Sequence, residues 1–77
     1  MMKLYLLERV EQADWDQYDG FVIAAESPEA ARILANREVT EYDNCDWTNE
    51  DQVSCRRIAE TSIFFQETVV ISDFNAG

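Results

Sequence analysis

The sequence of 77 residues contains no histidine, and only two glycines, one proline and two cysteines. Without histidine, the commonest general base and metal ligand is missing, and Ser-His and Cys-His nucleophile arrangements are excluded. Two glycines leave no G-x-G-x-x-G or Walker phosphate loop. The carboxylates lie in polar runs, whereas general acid catalysis requires a buried carboxyl group of raised pKa. We therefore expect a protein that is not an enzyme and that carries no cofactor.

Long apolar runs and cysteine pairs are also scarce. No window approaches the roughly 20 apolar residues of a membrane span, and the apolar start of the chain is interrupted by Glu8 and Arg9 too early for a signal peptide. Cys45 and Cys55 form no CxxC pair, so we expect reduced thiols and no zinc site, although one disulfide between them stays open. These features predict a cytoplasmic protein.

Basic residues are also scarce. The sequence has six of them and 16 acidic residues, which gives a net charge of -10. Such a balance argues against nucleic acid and anionic membranes as direct ligands. Two interpretations stay open. A strong field of one sign steers association with a basic partner, or the charge only keeps the protein in solution.

What the chain does contain is enough apolar material for one small folded domain. Apolar residues make up 47% of the sequence and aromatic residues 12%, which is too rich for a disordered chain. Short apolar, β-branched runs predict strands at residues 3–10, 20–25, 53–60 and 68–74. We therefore expect a single domain over residues 1–77.

The stretch that follows the second strand predicts a helix over residues 28–37. Ser27 supplies a hydroxyl cap, Pro28 suits the first helical position, and Glu29 suits the positive end of the helix dipole. A narrow apolar stripe follows, which can lie on a sheet and is formed by Ala30, Ile33 and Leu34 with Ala31 and Ala35 beside it.

The predicted order of elements is ββαββ, read as two hairpins and one amphipathic helix. This order favours an α+β fold of two layers, with an antiparallel sheet and the helix packed on one face. Acidic segments 11–19 and 38–52 are expected to be connections, the second with a short helical turn around residues 49–52.

The segment DWDQYDG tests a calcium interpretation. A calcium loop that starts at Asp14 finds a ligand at its third place, Asp16, but Tyr18 at the fifth, Asp19 at the sixth and Ala25 at the twelfth. The pattern fails at three places. A looser cation site of Asp14, Asp16 and Asp19 is less favoured than a solvated loop, so we expect no metal.

The two acidic segments read better as an interaction surface, because they hold ten of the sixteen acids and none of the bases. Aromatic rings among carboxylates are typical of anchors for arginine-rich surfaces. The alternative is that Trp15, Tyr18, Tyr42 and Trp47 close the core. The candidate partner-binding residues are Glu11, Asp14, Trp15, Asp16, Tyr18, Asp19, Glu38, Glu41, Asp43, Asp46, Trp47, Glu50 and Asp51.

The segment SIFFQE places three bulky apolar residues, Ile63, Phe64 and Phe65, in a connection. These side chains either fill part of a small core or form an exposed contact patch. We expect the core.

The frame KLYLLERV, then YDGFVIAAES and a closing VVISDFNAG, resembles a group of short proteins carried by tailed phages and prophages. The size, the acidity and the ββαββ order are similar to those of anti-CRISPR proteins, a likeness of type that rests on no diagnostic motif. The resemblance implies a non-catalytic inhibitor in the cytoplasm of an infected bacterium.

Such a protein would mimic DNA, bind a basic nucleic-acid-binding surface of a CRISPR effector complex and block recognition of target DNA. It would act as a monomer or a homodimer. The alternative is a phage accessory or structural protein that self-associates through an apolar patch around Phe64 and Phe65.

Overall fold

A computed structural model describes residues 2–10, 17–39 and 45–75 of the chain. Within them lie strand β1 (Met2–Arg9), strand β2 (Gln17–Ala25), helix α1 (Pro28–Glu38), strand β3 (Val53–Thr61) and strand β4 (Thr68–Asn75). The predicted ββαββ order and the α+β class are confirmed. No helix in these residues combines the length and the apolar character that crossing a membrane requires.

The four strands form one antiparallel sheet in the order β3-β1-β2-β4. The first predicted hairpin is present, with Leu6 of β1 opposite Val22 of β2. The second predicted hairpin is wrong, because β3 and β4 lie at opposite edges and each pairs with a different strand of the first hairpin. Helix α1 carries the chain from β2 past β1, which leaves β2 as the open partner for β4.

The connection of residues 62–67 therefore crosses the whole end of the sheet. Three strand spacings of about 4.8 Å separate the two edges, and an extended chain covers about 3.3 Å per residue. Six residues are long enough for this crossing.

The register divides the sheet side chains between two faces. On the core face, Leu7 and Phe21 stand opposite each other, as do Tyr5 and Ile23, and all four are buried. The other face, here called the open face, has no element of the described chain packed across its centre, and there Ile71 is 61% exposed. By register the open face includes Leu4, Leu6, Glu8, Gly20, Val22, Arg56, Ile71 and Asp73.

Helix α1 covers the core face through two small residues, Ala31 and Ala35, which are fully buried and allow close approach to the sheet. Its predicted start is confirmed, since the Ser27 hydroxyl accepts a hydrogen bond of 3.1 Å from the amide of Ala30. The predicted stripe is rotated, however. Ile33 is 54% exposed because the line through Ala31 and Ala35, not the line through Ile33, faces the sheet.

Cys45 and Cys55 are not joined to each other, so the disulfide that the sequence left open is not formed. Cys45 is buried in the core cluster and Cys55 packs against it. Burial raises the pKa of the Cys55 thiol, with a smaller contribution in the same direction from Glu29 and an opposing one from Arg32. Cys55 is therefore a protonated, structural thiol rather than an activated nucleophile.

Candidate interaction surface at the acidic end of the sheet

The described parts of the two acidic segments lie at one end of the sheet. Strand β1 ends where β3 begins, with Arg9 opposite Val53. The amide of Val10 donates a hydrogen bond of 3.0 Å to the carbonyl oxygen of Gln52. The residue directly before the first acidic segment is thus bonded to the last residue of the second. We call this the acidic end, defined by Asp19, Glu38, Asp46, Glu50 and Asp51.

Residues 45–52 are held in shape by their own hydrogen bonds. The Asn49 carbonyl oxygen accepts from the amides of Gln52 and Val53, both at 3.0 Å, and the Asn49 amide donates to the Asp46 carbonyl oxygen at 3.1 Å. The side-chain oxygen of Gln52 accepts from the Asp46 amide at 2.9 Å. The short helical turn predicted around residues 49–52 is present as a single turn, which the bond from the Val53 amide to the Asn49 carbonyl oxygen closes.

Two side chains of helix α1 hold this turn in place through hydrogen bonds. The Asn36 side-chain oxygen accepts from the Trp47 amide at 3.1 Å. One guanidinium nitrogen of Arg32 donates to the carbonyl oxygens of Trp47, at 3.3 Å, and of Val53, at 2.8 Å. Sequence reasoning missed both residues as part of the site, because their partners lie 11 to 21 residues away and no local pattern indicates them.

Trp47 is fully buried, so its ring is not available to a partner and the partner-binding role predicted for it is corrected. The ring meets Phe21 edge-on at 4.9 Å between centroids, and Phe21 stacks on Tyr18 at 4.8 Å. The alternative that these aromatic residues close the core is right for Trp47. Tyr18 is half-buried at the end of the same aromatic row.

The acidic side chains around the buried Trp47 ring face the solvent. Glu38, Asp46, Glu50 and Asp51 are all exposed, and Asp19 is half-buried. Hydrogen bonds from Thr48, first from its hydroxyl at 2.6 Å and then from its amide at 3.0 Å, hold the pKa of Asp46 below its ordinary value. The Asp46 carboxylate is therefore ionised at neutral pH and fixed in direction.

Part of the predicted surface lies outside the described residues, namely Glu11, Asp14, Trp15, Asp16, Glu41 and Asp43. The loose cation site of Asp14, Asp16 and Asp19 depends on two of them. Within the described ranges no group of three metal-ligating side chains comes together.

The connection of residues 62–67 is the second exposed feature. Phe65 is 94% exposed and Ile63 is 77% exposed, so the prediction that these side chains plug the core is wrong for both. Phe64 is half-buried and lines a hollow together with Met2 and Thr61. The chain crosses the end of the sheet here. The Phe64 ring lies against that end, and its neighbours Ile63 and Phe65 face outward.

Comparison with known proteins finds no family model, no curated protein and no solved structure that matches this chain.

Proposed function

We propose that this protein is an inhibitor of a bacterial defence system, of the anti-CRISPR type. In this proposal it acts in the cytoplasm of an infected bacterium, docks its acidic end onto the basic nucleic-acid-binding surface of an effector complex and blocks recognition of target DNA. The observation that carries the proposal is a set of four exposed carboxylates on one anchored end of the sheet, Glu38, Asp46, Glu50 and Asp51.

Anchoring matters for the affinity of such a surface. Ordering a flexible loop on binding costs free energy, and a loop that is already ordered avoids that cost. Here the hydrogen bonds from Arg32 and to Asn36 fix the turn before any partner arrives. The carboxylates are thus presented at set positions, as the phosphates of a DNA strand are.

Charge gives the association its speed and its dependence on salt. A concentrated negative surface steers a basic partner toward it, and this attraction is screened beyond about 8 Å at physiological ionic strength. We expect binding to purified effector complexes to weaken steeply as salt rises. Binding that is independent of salt would contradict the charge-mimic mechanism.

A triple variant with Asp46→Asn, Glu50→Gln and Asp51→Asn tests the surface directly. It should lose inhibition of target-DNA binding by the effector complex while its urea midpoint stays unchanged. The matched control is Glu26→Gln, Glu60→Gln and Glu67→Gln, which removes the same charge at the opposite end of the sheet. Equal loss of inhibition in both variants would show that net charge, and not the acidic end, is responsible.

A second candidate function is favoured by the exposure of Phe65 and Ile63. Two large apolar side chains that project beside a hollow are suited to self-association, as in a phage accessory or structural protein. Sedimentation over a range of concentrations tests it. A stable homodimer that Phe65→Ser converts into a monomer supports this function, and a monomer at every concentration excludes it.

A further inference from the structure

The open face carries a pattern of charge and size that the sequence alone did not reveal. Across the four strands, one row of the open face contains Ser54, Glu8, Gly20 and Asp73, in that order. The next row contains Arg56, Leu6, Val22 and Ile71. Residues that stand directly opposite each other in an antiparallel sheet share a face. Two carboxylates therefore flank a glycine, beside a row of three aliphatic side chains and Arg56.

Gly20 cannot be replaced without moving a strand. A Cβ atom at this position would lie 2.8 Å from the carbonyl oxygen of Leu7, which is closer than real contacts allow. The glycine lets β1 and β2 approach, and it places no side chain of its own between Glu8 and Asp73. The result is an open groove of about 160 Å³ lined by Leu6, Glu8, Asp19, Gly20, Phe21, Val22, Ile71 and Asp73.

The groove carries negative charge at Glu8 and Asp73, while Arg56 lies on the same face one row away. Glu8 and Asp73 are exposed, and neither carboxylate forms an ion pair with a described side chain. Their Cα atoms are two strand spacings apart, about 10 Å. This separation leaves room for one cationic group between the two carboxylates. In the aliphatic floor beside them, Ile71 is 61% exposed, and Leu6 and Val22 are half-buried.

We propose that this groove receives an arginine side chain from a basic partner protein. The aliphatic stem lies on Leu6, Val22 and Ile71, and the guanidinium group lies between Glu8 and Asp73. Arginine fits better than lysine because its planar group donates to two carboxylates at once, while its stem packs on apolar surface. This inference rests on the proposed function, and it adds an apolar contact to a surface otherwise described by charge.

A short peptide tests the groove without the natural partner. The probe is Ac-Val-Arg-Val-NH2, titrated into ¹⁵N-labelled protein. We expect saturable shifts centred on the amide signals of Gly20, Val22 and Ile71. The same peptide with citrulline, a neutral isostere of arginine, should bind about tenfold more weakly or worse, because charge-assisted hydrogen bonds are lost. Equal binding of the two peptides would overturn the proposal.

Matched variants separate the groove from general charge. The pair Glu8→Gln and Asp73→Asn should weaken peptide binding about tenfold or more. The pair Glu26→Gln and Glu67→Gln changes the net charge equally at the other end of the sheet and should leave binding within about twofold. Equal weakening by both pairs, or shifts confined to Asp46, Glu50 and Asp51, would overturn the proposal.

Two further outcomes keep this test independent of the proposed function. Ile71→Ala should weaken binding of the arginine peptide while the salt dependence of that binding stays unchanged. An Ile71→Ala protein that binds the peptide as the wild type does would remove the apolar floor from the proposal. If the wild-type protein does not inhibit the effector complex although the peptide fills the groove, the proposed function fails and the groove stands. Signals that broaden with protein concentration alone would assign the open face to a second copy and overturn the arginine proposal.

Discussion

Trp47→Ala should bring the protein close to unfolding. The Trp47 ring is fully buried, meets Phe21 edge-on and sits where the turn of residues 45–52 joins the core. Truncation of a buried aromatic side chain to alanine costs about 3–5 kcal/mol. A domain of this length has an unfolding free energy of about 4–12 kcal/mol, and small single cores lie near the lower limit. The substitution therefore removes most of the stability.

Urea unfolding followed by far-ultraviolet circular dichroism measures this effect, and it avoids the fluorescence of the second tryptophan, Trp15. With a slope of about 1 kcal/mol per molar urea, the expected loss shifts the midpoint by about 3 M or more. Trp47→Phe should lose less, because a ring remains to contact Phe21. Phe65→Ala is the surface control, and it should change the unfolding free energy by less than about 0.5 kcal/mol.

A Trp47→Ala protein with the midpoint of the wild type would refute the reasoning. It would mean that the ring contributes nothing to the core, and it would return Trp47 to the set of partner anchors predicted from sequence. A loss of binding without a loss of stability would indicate the same.

Three further predictions concern single positions. Ser27→Ala should lower the unfolding free energy by about 1 kcal/mol, since the amide of Ala30 loses its capping partner; an unchanged urea midpoint would contradict this. Gly20→Ala should cost about 1–3 kcal/mol, because the new methyl group meets the Leu7 carbonyl oxygen; a thermal melt at or above that of the wild type would show that the strands yield freely. The pKa of Cys55 is raised in the folded state because burial disfavours the thiolate. The buried thiol therefore contributes its full stability below the ordinary thiol pKa, and this contribution is lost as pH rises through the folded-state pKa. The urea midpoint should fall over that range less in Cys55→Ala than in the wild type, and identical pH profiles would contradict the shift.

The elements whose signals are local could be predicted from the sequence. Ser27 and Pro28 mark the start of α1 correctly because a cap and its amides lie within one turn. The β-branched run of β4 likewise indicates a strand without knowledge of its neighbour. Strand β2 is longer than predicted, since it begins at Gln17, where its partner is Asn75 of β4, near the other end of the chain.

The strand order could not be predicted in this way. Two consecutive strands with a short connection are read as a hairpin, yet the connection of residues 62–67 is also long enough to cross the end of the sheet. The choice depends on which edge α1 leaves open. That is a property of the packed molecule and not of any segment.

The exposed charge of the candidate site could be predicted from the sequence, but the residues that hold the site in place could not. The exposed carboxylates of Glu38, Asp46, Glu50 and Asp51 stand where a polar run suggests a wet surface. The burial of Trp47 had no periodic signal, because it arises from bonds to Asn36 and Arg32 that connect distant parts of the chain.

The position of β4 has a consequence for how the protein is made. Strand β4 follows every other described element, and it pairs with β2, where Ile71 meets Val22. While the chain leaves the ribosome, β1, β2, α1 and β3 can assemble, but one flank of β2 keeps unsatisfied backbone groups until the last strand emerges. Such a flank can recruit a strand from a neighbouring nascent chain. Efficient production therefore depends on β4 reaching its place sooner than a neighbour does, and slow synthesis of residues 68–75 should increase aggregation.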